Sequence, residues 1–360
     1  MPPTKELRSM SLFSEVRAVH RVPVWFMRQA GRYSQHYKNI KSRAGGDFMR
    51  MCKDPSLAAE ITLGPIEEYG FDAAILFSDI LFPLEQMGLG LTFGEGGSGP
   101  RIAHLLSSPA DIQKIPPRVM SNQYYQFQKE ALESVRYQQN IKGLPPFSLL
   151  GFIGGPFTLF TYATGDLTSA KVGLHDGRYH KFIELLLPGL LESMFVQAEG
   201  GIDAIAVFDT SAGELHIDEY QEFVYPVLEK LFNDFHQLHH IPLIYYLRYA
   251  THHHFPLFTN ILKEEDILGV DWRFAIEKLL IDFGNHYQLQ GNLDPSWLFL
   301  PWSNLERKLA AYWEKLNKTN QTPVDRRSRL ICGLGHGVLK NTPEENVKKS
   351  VEFIKNNYRY

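Results

Sequence analysis

Residues 147–155 read FSLLGFIGG and residues 204–211 read AIAVFDTS. Each run is apolar almost throughout and stops on glycine or on polar residues. A strand with one covered face alternates apolar and polar side chains, whereas a continuous run marks a strand covered on both faces, as in parallel sheets. Six further runs have the same character: PVWFMRQ from Pro23, AAILFSD from Ala73, PLIYYLRY from Pro242, ILGVDW from Ile267, YQLQGNLD from Tyr287 and LICGLGHG from Leu330. Amphipathic segments separate them. Asp54-Pro55-Ser56, Ser108-Pro109 and Asp294-Pro295 each place a capping side chain ahead of a proline, a helix-start signal. Thr342-Pro343-Glu344-Glu345 predicts a capping box before NVKKSVEFIK. Eight strand–helix units predict an α/β protein, a single (β/α)8 TIM-type barrel over 1–360, with residues 1–20 a short lead-in. In such a barrel the active-site cleft lies at the C-terminal ends of the strands.

The chain has 360 residues, 44% hydrophobic and 21% charged, with a net charge of −3. No general basic field is present, which argues against nucleic acid as a partner. An anionic ligand would have to be met by cations gathered locally. Cys52 and Cys332 offer no disulfide framework and suit a reducing compartment. The opening MPPTKELRSMSLFSEV is broken by Lys5, Glu6, Arg8 and Glu15, so no signal-type apolar run is expected. No stretch approaches the roughly 18 apolar residues of a membrane span. The expectation is a cytoplasmic protein without a membrane partner.

The predicted strand ends carry Arg28 and Arg32, Asp79, the Gly154-Gly155 turn leading to Tyr162, Asp209-Thr210, Asp271, Asn292 and His336. In MRQAGRY, residues 27–33, two arginines four apart flank Gly31, and arginine is the side chain best shaped for planar capture of a carboxylate. Asp79 ends an apolar run, where a carboxylate needs a partner or a cavity to face. His336 sits between glycines that admit close approach of a ligand to the backbone. GLGHG lacks the glycine spacing of a dinucleotide fingerprint, and GFIGGP lacks the Gly-Lys-Ser/Thr of a phosphate loop. Adjacent histidines cannot all face one ion, so His252-His253-His254 is expected to be a mobile polar loop. Glu264-Glu265-Asp266 is expected to be a solvated run at a helix end.

In order and spacing, PVWFMRQAGRY, FSDI, GFIGGPFTLFTY, FDTSAG, LQGNLDP and GLGHGVLKNTPEENV resemble the signatures of the uroporphyrinogen decarboxylase family, from about Pro23 to the C-terminal helix. The resemblance implies a barrel enzyme of porphyrin and haem biosynthesis, usually a homodimer with facing clefts, working without metal or organic cofactor. Its substrate, uroporphyrinogen, carries acetate and propionate arms on every pyrrole, and the four acetates become methyls. Carried over by position, Asp79, Arg28, Arg32, Tyr162 and His336 form the catalytic set. Arg28 and Arg32 would bind and help activate substrate carboxylates, and Asp79 would accept the pyrrole N–H groups. Tyr162, Thr210 and His336 would line the cleft, and Phe208 would pack near the macrocycle. Gln29, Ala30 and Gly31 would supply backbone contacts. Lys38 and Lys41 stand where the family often has arginine, and Lys41 would still meet a carboxylate.

Three other readings make different demands. A zinc-dependent methyltransferase acting on corrinoid or thiol acceptors needs a His-x-Cys pair and a later Cys. Cys332 resembles the later ligand, but the run from Pro242 offers Arg248 and no cysteine. A catalytically inactive tetrapyrrole-binding protein would be expected to lack Arg28, Asp79 or His336, and all three are present. A sugar-phosphate barrel enzyme predicts a phosphate site after the seventh and eighth strands, which GNLDP and GLGHG do not strongly suggest.

Overall fold

The continuous apolar runs form strands where they were expected, because each is covered on both faces. In the computed structural model, which describes residues 12–94, 99–115, 123–318 and 322–360, these are β1 (Ala73–Ile75), β4 (Ser148–Gly154), β5 (Ala204–Asp209), β6 (Leu243–Leu247), β7 (Ile267–Gly269), β8 (Gln288–Leu293) and β9 (Leu330–Leu334). Between the first two lies an antiparallel hairpin, β2 (Leu91–Phe93) and β3 (Pro100–Ile102), that the periodicity did not signal. Residues 1–11 of the expected lead-in lie outside the described residues.

The seven strands make one parallel sheet in the order β1-β4-β5-β6-β7-β8-β9. All residues of β6, β8 and β9 are buried. Glycines make room for large side chains on the packed interior. A Cβ at Gly269 would come within 2.9 Å of the Tyr246 ring and 3.3 Å of Gln290, and one at Gly333 would collide with Gln290.

The eighth run, PVWF, lies between the two edges of this sheet. Val24 makes a parallel bridge to Cys332 of β9. Cys332 N–H donates to Pro23 O at 2.8 Å and Trp25 N–H to Cys332 O at 3.2 Å, while on the other side Asp72 N–H donates to Val24 O at 3.0 Å. The Asp72 carboxylate clamps the segment. It accepts from Arg21 Nη1 and Nη2 at 2.8 and 2.6 Å and from Val24 N at 2.8 Å, all buried. The sheet is therefore curled, with β9 and the entry to β1 sharing one neighbour.

Helices cover the outside. Pro55–Tyr69 starts as its sequence signals, with Asp54 Oδ1 accepting from Ser56 N and Leu57 N, and ends at Gly70 in the left-handed conformation. Ser108 and Asp111 form a reciprocal cap. Asp294 does cap, but it caps a short 3-10 turn, Pro295–Phe299, and the long helix begins only at Trp302. The capping box expected at Thr342 is absent. Helix Glu344–Asn357 has no side-chain cap, because Thr342 Oγ1 turns back to Leu339 O and Glu344 accepts from Gln35 N and the Tyr69 hydroxyl.

Two loop expectations are also corrected. His254 is buried between the Tyr220 and Phe258 rings and is bonded to Thr251, and His252, though exposed, packs on Phe274. The triple histidine is therefore anchored to the core rather than a free polar loop. Asp266 is buried rather than solvated. It leads into β7 and accepts from Leu243 N at 2.7 Å and Lys263 N at 2.8 Å.

Candidate active site

The C-terminal ends of the parallel strands gather the chemistry-bearing side chains. After PVWF the chain turns at Arg28 in a left-handed backbone conformation, φ 59°, rare for a side chain with a Cβ. Strain of this kind persists only when the surroundings hold it. Here Val338 N–H donates to Met27 O and Gln29 N–H to Phe26 O. The Gln29 carbonyl accepts from the Tyr33 hydroxyl at 2.6 Å and its side chain donates to Ala73 O. Gln29 is thus engaged in bracing the turn, with both backbone groups already in use. The Arg28 side chain lies across Gly337, where any Cβ would come within 2.5 Å of its Cδ. That contact brings together residues from the two ends of the sequence and gives the glycine after His336 its reason.

Asp79, four residues beyond β1, is partly buried, and its Oδ1 accepts from Leu81 N at 2.9 Å. Burial pushes its carboxyl up to about 6, opposed by that backbone bond and by nearby Arg28. At neutral pH it is predominantly ionised, with no arginine or lysine in ion-pair contact among the described residues. Tyr162, exposed in the helix Pro156–Thr164, feels both Asp79 and Arg28, and its phenol is raised by burial first and by Asp79 second.

His336 follows β9 and precedes Gly337, on which the Arg28 side chain lies. Its ring stacks on Tyr246 with centroids 6.0 Å apart. The Tyr246 hydroxyl donates to Gly335 O at 2.8 Å and lies 3.2 Å from His336 Nδ1. With the single phenolic proton committed to the carbonyl, Nδ1–H donates to the phenol oxygen and Nε2 is left as an acceptor. Desolvation, then Arg28 and Arg248, depress the imidazole to about 4, so it is neutral at physiological pH.

Phe208, partly buried at the end of β5, faces Phe152 at 5.7 Å and Tyr246 at 6.4 Å, an aromatic floor. Thr210 is two residues on. Asp209 between them faces away, buried, with Oδ1 accepting from Thr158 N and Oγ1. Arg32 is exposed near Tyr37, whose phenol is raised to about 12 chiefly by burial. Ala30 and Gly31 lie partly exposed on the turn. Lys41, in the last turn of helix Gln35–Arg43, has no side-chain contact with the other candidates among the described residues. Asp271 and Asn292 are used structurally. Asp271 pairs with Arg273 at 2.7 Å, and Asn292 donates to the Asp271 and Phe274 carbonyls.

The strand-end pattern did not single out Arg248, Tyr246, Tyr249 or Arg273 as site residues. A signal existed: PLIYYLRY carries arginine as its next-to-last residue just as PVWFMRQ does. No cluster of three or more His, Cys, Asp or Glu able to hold a metal ion occurs among the described residues. Both cysteines are buried, and burial raises both thiols.

The ends of a curled parallel sheet thus hold an aromatic floor, one shielded carboxylate and two arginines, Arg28 and Arg248, that form no ion pair with a described residue. These features define an α/β protein that gathers aromatic rings, a carboxylate and cations at the C-terminal ends of a parallel sheet. The uroporphyrinogen decarboxylase family model matches residues 8–357. Uroporphyrinogen decarboxylase of Chloroflexus aurantiacus is 35% identical over 354 residues, covering 93% of this chain and 92% of that protein. The Roseiflexus sp. (strain RS-1) enzyme is 35% identical, covering 93% and 94%. This chain belongs to the uroporphyrinogen decarboxylase family. Among solved structures, a methyltransferase from Methanosarcina mazei superposes with a TM-score of 0.74 at 19% identity, covering 97% of this chain and all of that one. At that identity the likeness is one of fold. No helix among the described residues is long and apolar enough to cross a membrane.

Proposed function

We propose that this chain decarboxylates the four acetate arms of uroporphyrinogen III to methyls, giving coproporphyrinogen III and CO2. The observation that carries the reading is Asp79, a shielded carboxylate with no ion-pair partner among the described residues, close enough to Arg28 for its ionisation to be affected. Losing carboxylate from an acetate needs an electron sink. Protonation of a pyrrole ring carbon supplies one, because the positive charge spreads to nitrogen. Asp79 accepts the pyrrole N–H groups and stabilises that cation where water is largely excluded. The C–C bond to the carboxylate then breaks, its electron pair neutralises the ring, and CO2 leaves. A proton taken up at the exocyclic carbon and one lost from the ring restore the pyrrole with a methyl. Each acetate thus exchanges CO2 for one proton.

Arg28 orients the reacting carboxylate and delivers the ring proton through a water held on its guanidinium, while Arg32 positions the arm. Tyr162, Thr210 and neutral His336 contact the macrocycle and Phe208 packs against it. Ala30 and Gly31 add backbone contacts, and Lys41 meets an outer carboxylate.

The same reading takes the chain as a single domain in which residues 22–26 serve as the eighth strand, closing a (β/α)8 barrel. It also takes it as a cytoplasmic homodimer. Sedimentation at twice the 41.3 kDa chain mass is the expected result. The decisive experiment is an anaerobic assay with freshly reduced uroporphyrinogen and a chelator, with products separated by carboxylate number. Successive seven-, six-, five- and four-carboxylate products are expected. Unchanged substrate with folded protein would reject the proposal.

A further inference from the structure

Tyr246 lies on β6 (Leu243–Leu247), and Arg248 is the first residue beyond it, in the turn at the C-terminal end of that strand. The Tyr246 ring looks across the concave side of the sheet, meeting Phe208 at 6.4 Å and His336 at 6.0 Å. Asp209 pairs with Leu247, so the next positions along are Thr210 and Arg248. Arg248 therefore leaves the sheet at the same end as Thr210, one position beyond the last paired residues of β5 and β6.

Its surroundings are built. The guanidinium lies 4.3 Å from the centroid of Tyr249, a residue held in the left-handed region at φ 63° by the bond from its N–H to Asp271 Oδ2. Arg273 packs on the same ring at 5.1 Å. The two arginines differ in one respect. Arg273 is neutralised by Asp271 at 2.7 Å and bonded to Ala250 O, whereas Arg248 makes no ion pair with any described residue and its buried Nε has no hydrogen-bond partner. A cationic N–H withdrawn from water without an acceptor is costly, and such groups in folded proteins mark a place where something else binds. Arg28 likewise makes no ion pair with a described residue, and both arginines act on His336.

The geometry points to Arg248, backed by Tyr249 and Arg273, as a second carboxylate-binding position of the cleft, taking a substrate arm other than the one held at Arg28 and Arg32. A planar fork with a free Nε–H suits a carboxylate acceptor. The assignment rests on the decarboxylase reading for the identity of the ligand. A tetrapyrrole with carboxylates around its whole rim presents one arm to each side of the cleft.

The test is R248M, which keeps most of the packing on Tyr249 while removing the charge, with R248K as partner, assayed on uroporphyrinogen at two salt concentrations. Loss of a charge-assisted contact predicts KM higher by roughly tenfold or more, kcat falling less than KM rises, and partial recovery in R248K. The salt dependence of kcat/KM should also become shallower in R248M. A KM within about twofold of wild type would overturn the proposal, as would a lowered Tm and kcat with KM unmoved, the mark of a structural role. If wild type itself released no product, it is the decarboxylase reading that would fall; wild-type turnover with an unshifted KM in R248M rejects this inference alone.

Discussion

A carboxylate can stabilise a cation only while it is ionised, and burial works against ionisation. Asp79, pushed up to about 6, sits at that balance. Because its folded value lies above the ordinary one, the folded protein binds an extra proton between about 4 and 6. The stabilisation this brings is full below that window and lost as pH rises through 6. D79N removes the ionisable group, so it should unfold at higher urea than wild type at pH 7.5, by about 1–2 kcal/mol after allowing for solvent at the cleft, with no such advantage at pH 4. The same variant should lose on the order of 10²–10³ in kcat. Near-normal turnover in D79N would end the cation-stabilising role. His336 titrates the other way. Depressed to about 4, it contributes stability above about 6.5 that is lost as pH falls towards 4. It is therefore already neutral where the acid limb of the rate profile should fall. H336Q is expected to keep a midpoint near 6 at reduced kcat, and a displaced midpoint would assign that limb to the histidine.

At the scale of elements, one small segment carries an outsized load. Residues 21–25 make few ladder bonds, yet the Asp72 carboxylate takes three buried donors from them. Deleting one partner of a buried ion pair strands the other charge, at about 3–5 kcal/mol. D72A should cost that much in urea unfolding, against about 1 kcal/mol for removing the exposed helix cap in D54A. A loss in D72A no larger than in D54A would mean the segment is not held by that clamp. Asp54 and Glu344 show what a sequence can and cannot disclose. Asp54 acts on neighbours two and three residues away, and its cap is readable from Asp-Pro-Ser. Glu344 looks like part of a local cap, but its partners are Gln35 and Tyr69, some 300 residues distant, and nothing local competes with them. The polar composition around His254 and Asp266 suggests solvent for the same reason, while tertiary partners bury them. The strands were readable because coverage on both faces writes a continuous apolar run. The β2–β3 hairpin has only three residues per strand, mostly partly exposed, and writes no such run.

For the whole molecule, net charge and local field point in opposite directions. The chain carries −3, yet Arg28, Arg32, Arg248 and Arg273 stand at one end of the sheet. Arg273 has its charge cancelled by Asp271, whereas Arg28 and Arg248 pair with no carboxylate among the described residues. Arg28, Asp79 and His336 could be picked out because each stands at the end of a recognisable run and invites a chemical reading. The sum of the field could not, since it depends on which arginines meet carboxylates, and that is a matter of three-dimensional pairing. A polyanionic substrate approaching such a cleft is steered by cations that surface acids elsewhere do not neutralise. Raising ionic strength from about 0.02 to about 0.3 M shortens the Debye length from roughly 20 to 6 Å, less than the width of a tetrapyrrole. Capture should suffer and the chemical step at Asp79, which is partly buried, should not. kcat/KM is therefore expected to fall several-fold across that range while kcat changes by less than about twofold. A flat kcat/KM would mean that the acids around the cleft cancel its arginines at a distance. A parallel fall in kcat would instead place the screened interaction in the transition state, at Asp79 and the exposed Arg28.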